Sequence, residues 1–372
     1  MKAKTRIGIV GCGAMGRIHA EAFSREPNCE VVAFQNRTAS RAQVLAEEFR
    51  GRFYASFEEM VTDPGLDALC IASSQAVHAE QVMAALRAGK DVFCEKPLAL
   101  TVPELDAVEK VARRSRRVVM VGHQLRFHPV IRKVVSTLPK IGDAFHLDLE
   151  MTFLIAGAKG RCWEDYRSGG FFMELGCHLT DLARFFMGEV RDVSARTLRL
   201  NPKRVTEDHT HCLLQFENHA IGTISVSANY RVGRQGLFRG RILGEKGRLD
   251  FVINPYSRTF NNVTLTMDSG RDTFRPDGPG KRLPLQLPRS VCKIFPGFFD
   301  AYQKQAAAFL KAVETRSEPP VKLSDGRAAV EIILAAYSSQ GLATDGPNFS
   351  KRKWRERADG ACHPLLQSSS RK

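Results

Sequence analysis

Two short segments of this chain gather side chains that can move a proton. Glu174, His178 and Asp181 are spaced i, i+4 and i+7, so a continuous helix would set all three on one face. Histidine titrates near neutrality, and two carboxylates on its face would raise its basicity and orient the ring. The second segment is Cys94-Glu95-Lys96-Pro97, at the C-terminal end of a predicted strand. Ligands of open parallel sheets sit beyond those ends, where a lysine can hold a hydroxyl group for deprotonation.

A third segment supplies a reason for such chemistry. Gly11-Cys12-Gly13-Ala14-Met15-Gly16 follows the apolar run Ile7-Gly8-Ile9-Val10 and opens a helical pattern over residues 14–25. In that context Gly11 permits a tight turn, Gly13 lets a pyrophosphate approach the backbone, and Gly16 lets helix and strand pack closely. The helix start, at Ala14 and Met15, would offer N–H groups to the phosphates. This predicts a nicotinamide dinucleotide. A carboxylate at the end of the second strand would bind the ribose 2′-hydroxyl, but the chain has Gln35-Asn36-Arg37-Thr38 there. Arg37, helped by Thr38 and Arg41, would face a 2′-phosphate, which favours NADP; Asn36 on a ribose hydroxyl is the NAD alternative. The Glu174–His178–Asp181 trio is also a set that can hold a metal. That ranks lower, since hydride transfer to a nicotinamide needs none, and no metal is expected.

The elements that must carry these residues can be read from hydrophobic periodicity. Through residue 122, short apolar runs alternate with helical patterns, which predicts a doubly wound parallel sheet (a Rossmann domain) over 1–122. Period-2 alternation then dominates from 143 to 267, as in His146-Leu147-Asp148-Leu149-Glu150-Met151. It predicts an α/β domain over 123–343 with a large, open, mainly antiparallel sheet. Helices are expected over 172–187, 298–314 and 324–342, long loops over 254–296, and an extended or disordered basic tail over 344–372.

Bulk properties narrow the class. Of the 372 residues, 43% are hydrophobic and 26% charged, a globular mixture. No apolar run is long enough for a membrane helix. The basic start, Met1 to Arg6, lacks a signal-peptide core, so a cytoplasmic protein is expected. The nine cysteines stand singly without metal-ligand spacing, as expected of reduced thiols. The net charge of +15 would suit an anionic partner, but it is spread along the chain and no nucleic-acid-binding motif accompanies it, so none is expected.

The glycine turn, Ala72 to His78, the run Gly89-Lys90-Asp91-Val92-Phe93-Cys94-Glu95-Lys96-Pro97, and Gly169-Gly170 followed by Gly176-Cys177-His178-Leu179-Thr180-Asp181 together resemble the Gfo/Idh/MocA oxidoreductase family. The resemblance spans residues 5 to 343. It implies a sugar or cyclitol substrate, Lys96 against the substrate and His178 as general acid/base. It also places Ser73, His78, Glu95 and Lys96 at the cofactor, and implies homodimers or homotetramers that pair through the second sheet. The family's usual aspartate is Glu174 here, one methylene longer, which moves the carboxylate by about 1.5 Å. Arg126 and His128, then Trp163, Tyr166 and Arg167, are further candidates for substrate contact.

These readings point to a dehydrogenase or reductase for a sugar or cyclitol hydroxyl, with Lys96, His178 and Glu174 as its catalytic residues. Two alternatives use the same turn: a glycosidase or lyase that cycles a bound cofactor without net redox change, and a non-catalytic sensor of the nicotinamide pool.

Overall fold

The computed structural model describes residues 4–153, 169–229, 237–254, 261–275 and 299–341. Its first sheet has six parallel strands: β1 (Thr5–Val10), β2 (Cys29–Gln35), β3 (Arg52–Tyr54), β4 (Ala68–Ile71), β5 (Asp91–Glu95) and β6 (Val119–Gly122). Their order is β3-β2-β1-β4-β5-β6. Ile7, Ile9, Leu69, Ile71, Val92 and Phe93 are fully buried, because helices cover both faces and no side of these strands meets water. Those helices include α1 (Ala14–Ser24), α2 (Ala39–Phe49), the short α3 (Phe57–Thr62), α4 (His78–Arg87) and α5 (Val102–Ser115). The start of α5 is set by a capping box between Thr101 and Glu104. The chain leaves β1 and β4 in opposite lateral directions, so a crevice opens beyond their C-terminal ends.

The second sheet has eight strands: β7 (Ala144–Thr152), β8 (Val190–Leu198), β9 (His209–Phe216), β10 (Ile221–Ser227), β11 (Leu237–Gly244), β12 (Gly247–Ile253), β13 (Asn262–Met267) and β14 (Gly270–Phe274). Their order is β14-β13-β12-β11-β7-β10-β9-β8, antiparallel except where β10 lies parallel to β7. Alternation is plain in β9, where Thr210, Cys212, Leu214 and Phe216 point inward and His211, Leu213 and Gln215 outward. Helices α6 (Pro129–Thr137), α7 (Cys177–Met187) and α9 (Leu323–Ser338) pack on the inner face. Helix α8 (Phe299–Thr315) returns to the first sheet's layer. There Phe309 lies edge-on to Phe23 of α1 and Phe93 of β5, with ring centroids 6.0 and 5.9 Å away.

The alternating and parallel sheets are as expected, with two departures. Strands β13 and β14 occupy part of the stretch expected to be loop. Strand β14 is exposed along its whole length, so it carries no apolar alternation to betray it. The helix expected over 172–187 does not run evenly: Phe172–Gly176 is a π-helical turn, and only Cys177–Met187 is α-helical. Trp163, Tyr166, Arg167 and the basic tail lie outside the described residues.

Candidate active site

The glycine turn lies where β1 hands over to α1. Gly11 has φ +92°, and a Cβ there would sit 2.5 Å from the backbone of Ala72 and Ser73. A Cβ on Gly16 would lie 1.8 Å from the Gly11 carbonyl oxygen, which is the close helix–strand approach the spacing implies. Gly13 differs: a Cβ there would meet nothing within 4 Å. Its freedom from side-chain bulk serves no internal contact and leaves a cradle open toward the start of α1. Among the described residues no side chain caps that helix end, so its first-turn N–H groups remain for a ligand. These features fit a dinucleotide pyrophosphate.

The end of β2 is organised around the same turn. Asn36 accepts from the Cys12 N–H at 3.0 Å and donates to the Thr38 carbonyl at 2.9 Å. Both groups of its amide, which the NAD alternative sets on a ribose hydroxyl, are thus engaged in fastening the turn. Arg37, Thr38 and Arg41 are exposed beside it, and Arg41 lines a shallow groove with Gly13, Ala14 and Arg17.

A cleft opens at the crevice between the two sheets. Met15, Ser73, His78, Glu95 and Lys96 line it from the first domain, and Met151, Phe153, Glu174, Leu175, His178 and Phe238 from the second. Gln124, Leu125 and Tyr302 close one end.

Lys96 follows β5, joined to Pro97 by a cis peptide bond. Its Nζ donates to the Glu174 carbonyl at 2.8 Å and to Glu174 Oε1 at 3.0 Å. Burial pulls the ammonium down, but the carboxylates of Glu174 and Glu95 outweigh it, and the net shift keeps Lys96 charged. Glu95 accepts from the Lys96 backbone N–H at 3.1 Å and pairs with His19 Nε2 at 2.6 Å. Burial opposes its ionisation, yet the His19 bond and the nearby Lys96 and His78 hold its pKa below the usual value. His19, on α1, is thus a buried brace for the lysine turn. His78 braces it from the other side, with Nδ1 2.8 Å from the Pro97 carbonyl and Nε2 3.3 Å from that of Ser73. The Ser73 hydroxyl donates to Gln81 at 2.6 Å.

The proton-transfer trio is arranged differently from the expectation. The wide π-turn breaks the 3.6-residue register between Glu174 and the α-helix that follows. Glu174 faces Lys96. Asp181 is 1% exposed and accepts two bonds from Arg126, at 2.9 Å from Nε and 2.6 Å from Nη2. Arg126 also meets Asp325 at 3.1 Å. Arg126, expected at the substrate, is thus a buried structural cation beside the cleft. His128 caps the start of α6, accepting from the Val130 N–H, and is not among the residues that line the cleft.

No carboxylate therefore raises His178. Burial pushes it far below the ordinary imidazole value, and the charges of Lys96 and His123 push the same way. His178 lines the cleft as a neutral ring, and its buried Nδ1 has no hydrogen-bond partner among the described residues. Buried His123 lies alongside, lowered chiefly by desolvation, with Nδ1 3.8 Å from Asp181.

Several residues of the cleft went unanticipated. Met151, Phe153 and Phe238 come from the ends of β7 and β11, where an inward-facing apolar residue reads as ordinary core. Tyr302 comes from α8, about 200 residues beyond Lys96 in sequence, and stands edge-on to His19 at 5.6 Å. Nothing local marks it as a cleft residue.

Residues 5–123 match the model of the oxidoreductase family with an NAD-binding Rossmann fold, and residues 140–342 match that family's C-terminal alpha/beta domain. The chain belongs to the Gfo/Idh/MocA oxidoreductase family. It is accordingly an enzyme of the oxidoreductase class with an NAD(P)-binding Rossmann domain. A myo-inositol 2-dehydrogenase from Thermotoga maritima is 28% identical over 90% of this chain and 96% of its own. A D-xylose 1-dehydrogenase (NADP(+)) from Haloferax volcanii is 27% identical over 90% and 95%. Among solved structures, a levoglucosan dehydrogenase in complex with NADH and levoglucosan shares the fold, with a TM-score of 0.78 at 22% identity over 91% of this chain and 97% of that one. Among the described residues, no helix is long and apolar enough to cross a membrane.

Proposed function

We propose that this enzyme is an NADP-dependent dehydrogenase acting on a hydroxyl of a sugar, sugar derivative or cyclitol. Lys96, His178 and Glu174 are its catalytic residues. The observation that carries this reading is the meeting of those three side chains in one cleft with Met15 and Ser73, beside the cofactor turn. Relatives named for inositol and xylose support the substrate class. The choice of NADP rests on the missing carboxylate at the end of β2 and on exposed Arg37 and Arg41 beside the turn.

When bound, the nicotinamide supplies the hydride acceptor. The chain's own residues manage the alcohol. An ammonium has three donors, and Glu174 occupies two of those on Lys96. The third is left to hold and polarise the substrate oxygen. Neutral His178 takes the hydroxyl proton. Once protonated it stands buried beside the Lys96 cation, an unfavourable state that drives the proton onward. Glu174 fixes the lysine through a carbonyl and a carboxylate at once, so the longer side chain keeps its contact here.

A panel of cyclitols, aldoses and anhydro sugars with NADP+ and NAD+, read at about 340 nm, tests the proposal. Lys96→Ala and His178→Ala should each lower kcat by roughly 10²-fold or more. Near wild-type turnover in both variants would refute the assignment.

We also propose that the subunits pair through the outer face of the second sheet, which presents Asp148, Glu150, His211, Thr223, Arg239 and Arg241 with no helix packed over it among the described residues. Light scattering after size-exclusion chromatography would give twice or four times the subunit mass; a monomer would exclude this.

A further inference from the structure

The loop between β8 and β9 sends one carboxyl group into the interior, at a point the proposed chemistry does not use directly. Glu207 is 1% exposed. Its Oε1 accepts from the Phe172 N–H at 2.7 Å and from the Tyr337 hydroxyl of α9 at 2.6 Å. Phe172 is the first residue of the π-turn. Glycines make the approach possible: Gly170 has φ +95°, and a Cβ there would lie 2.7 Å from Glu207 Oε2. The Gly170 carbonyl in turn accepts from the Glu174 N–H at 3.2 Å. One continuous set of contacts thus runs from Glu207 through Phe172 and Gly170 to Glu174, and from Glu174 to Lys96.

We propose that Glu207 is a positioning residue for catalysis: its carboxylate fastens the first turn of the π-segment and so sets where Glu174 presents its carbonyl and carboxylate to Lys96. This rests on the roles given above to Lys96 and Glu174. The loop is well placed to act as an anchor. Asp208 accepts from the N–H groups of Leu200 and Asn201 at 2.7 and 2.8 Å and meets Arg204 at 3.4 Å, and its carbonyl accepts from Ala228.

The anchor has two protonation states with different hydrogen bonds. Burial pushes Glu207 up to about 7, although the Tyr337 hydroxyl and the Phe172 N–H pull it back; neighbouring Asp208 adds to the rise. Cys212 of β9 acts on Tyr337 from the sheet side. The Tyr337 hydroxyl stands between Glu207 and the Gly169 carbonyl, 3.1 Å away, and donates to one of them at a time. With Glu207 ionised, Tyr337 donates to it and the N–H of Phe172 meets a full negative charge. With Glu207 protonated, the carboxyl donates to the Tyr337 oxygen, Tyr337 turns to Gly169, and the bond to Phe172 weakens.

Glu207→Gln keeps the volume and one acceptor but carries no charge. The first readout needs no substrate. Hydrogen exchange of peptides spanning residues 170–178, with NADP+ present, should be about tenfold faster in Glu207→Gln than in wild type at pH 8. The difference should shrink at pH 6. With the substrate found by the panel, Glu207→Gln should lower kcat about tenfold or more, as for a misplaced catalytic group, with KM for the cofactor unchanged. The inflection near pH 7 in the kcat profile should vanish. Tyr337→Phe, which removes a bond favouring the ionised form, should move that inflection upward. It also serves as the test if the first variant does not fold. Wild-type exchange of 170–178 at pH 8, or an unmoved inflection in Tyr337→Phe, overturns the proposal. A failure of the catalytic reading would show instead as undiminished turnover in Lys96→Ala.

Discussion

Replacing Asp181 with asparagine separates two descriptions of the helix that carries His178. In the structure, Asp181 is a buried partner for Arg126, with the guanidinium held at 2.6 and 2.9 Å and the carboxylate 1% exposed. Asparagine would remove the charge and turn an amide N–H2 toward a group that can only donate. Breaking a buried ion pair from one side costs about 3–5 kcal/mol. The low end applies, because Arg126 keeps Asp325 at 3.1 Å. In a domain of this size each kcal/mol moves Tm by about 2–4 °C, so a fall of roughly 6–12 °C is expected. Circular dichroism or a dye-based melt at pH 7.5 measures it directly. Replacing the pair together, Arg126→Met with Asp181→Leu, should recover most of the loss, since Asp325 keeps Arg184 at 3.3 Å and no charge is left unpaired. If Asp181 instead oriented His178, Asp181→Asn would melt within about 2 °C of wild type and lose kcat by orders of magnitude. That result would refute the ion-pair account.

Three further outcomes are expected. Gly13→Ala should fold and melt normally yet bind NADP+ at least tenfold more weakly by fluorescence titration, because the new methyl meets no protein atom and stands where the pyrophosphate approaches; Gly16→Ala should lower Tm as well, since its Cβ would lie 1.8 Å from the Gly11 carbonyl. Arg37→Ala should raise the Kd for NADP+ about tenfold and leave that for NAD+ within twofold; equal loss for both would remove Arg37 from the 2′-phosphate. Stability should fall as pH drops below 6.5. His78, His123 and His178 are buried with depressed pKa values, so the unfolded chain binds more protons than the native one below 6.5, and stability is complete only above it. Urea melts from pH 7.5 to 5 should show this, with a shallower slope in His123→Leu; a flat profile would contradict neutral burial of these rings.

What could be read in advance follows the range of the forces involved. The glycine turn and Lys96 were legible because each is a local device: a strand end, a turn and a helix start within a dozen residues. The open antiparallel sheet was legible from alternation. What escaped depended on distance or on a change of period. Arg126 and Asp181 are 55 residues apart, and neither sequence neighbourhood names the other. Tyr302 reaches the cleft only because α8 packs back on α1 and β5. Strand β3 has three residues, too few to show a period. The π-turn left no mark on the hydrophobic pattern, and its change of register turned Glu174 out of line with the helix that carries His178 and toward Lys96.

That register change bears directly on the proposed chemistry. Two carboxylates on its face would have made His178 a stronger base held as a cation at neutral pH, and therefore a poor acceptor for a hydroxyl proton. The observed arrangement divides the charges otherwise. Glu174 and Glu95 keep Lys96 cationic despite its burial. The same lysine, together with desolvation, keeps His178 neutral. The fixed cation and the neutral ring that the proposed function calls for are thus produced by one pair of neighbours whose pKa values are driven apart. Moving the Glu174 carboxylate from Lys96 toward His178 would undo both halves together, since the lysine would lose its counter-charge as the imidazole gained one.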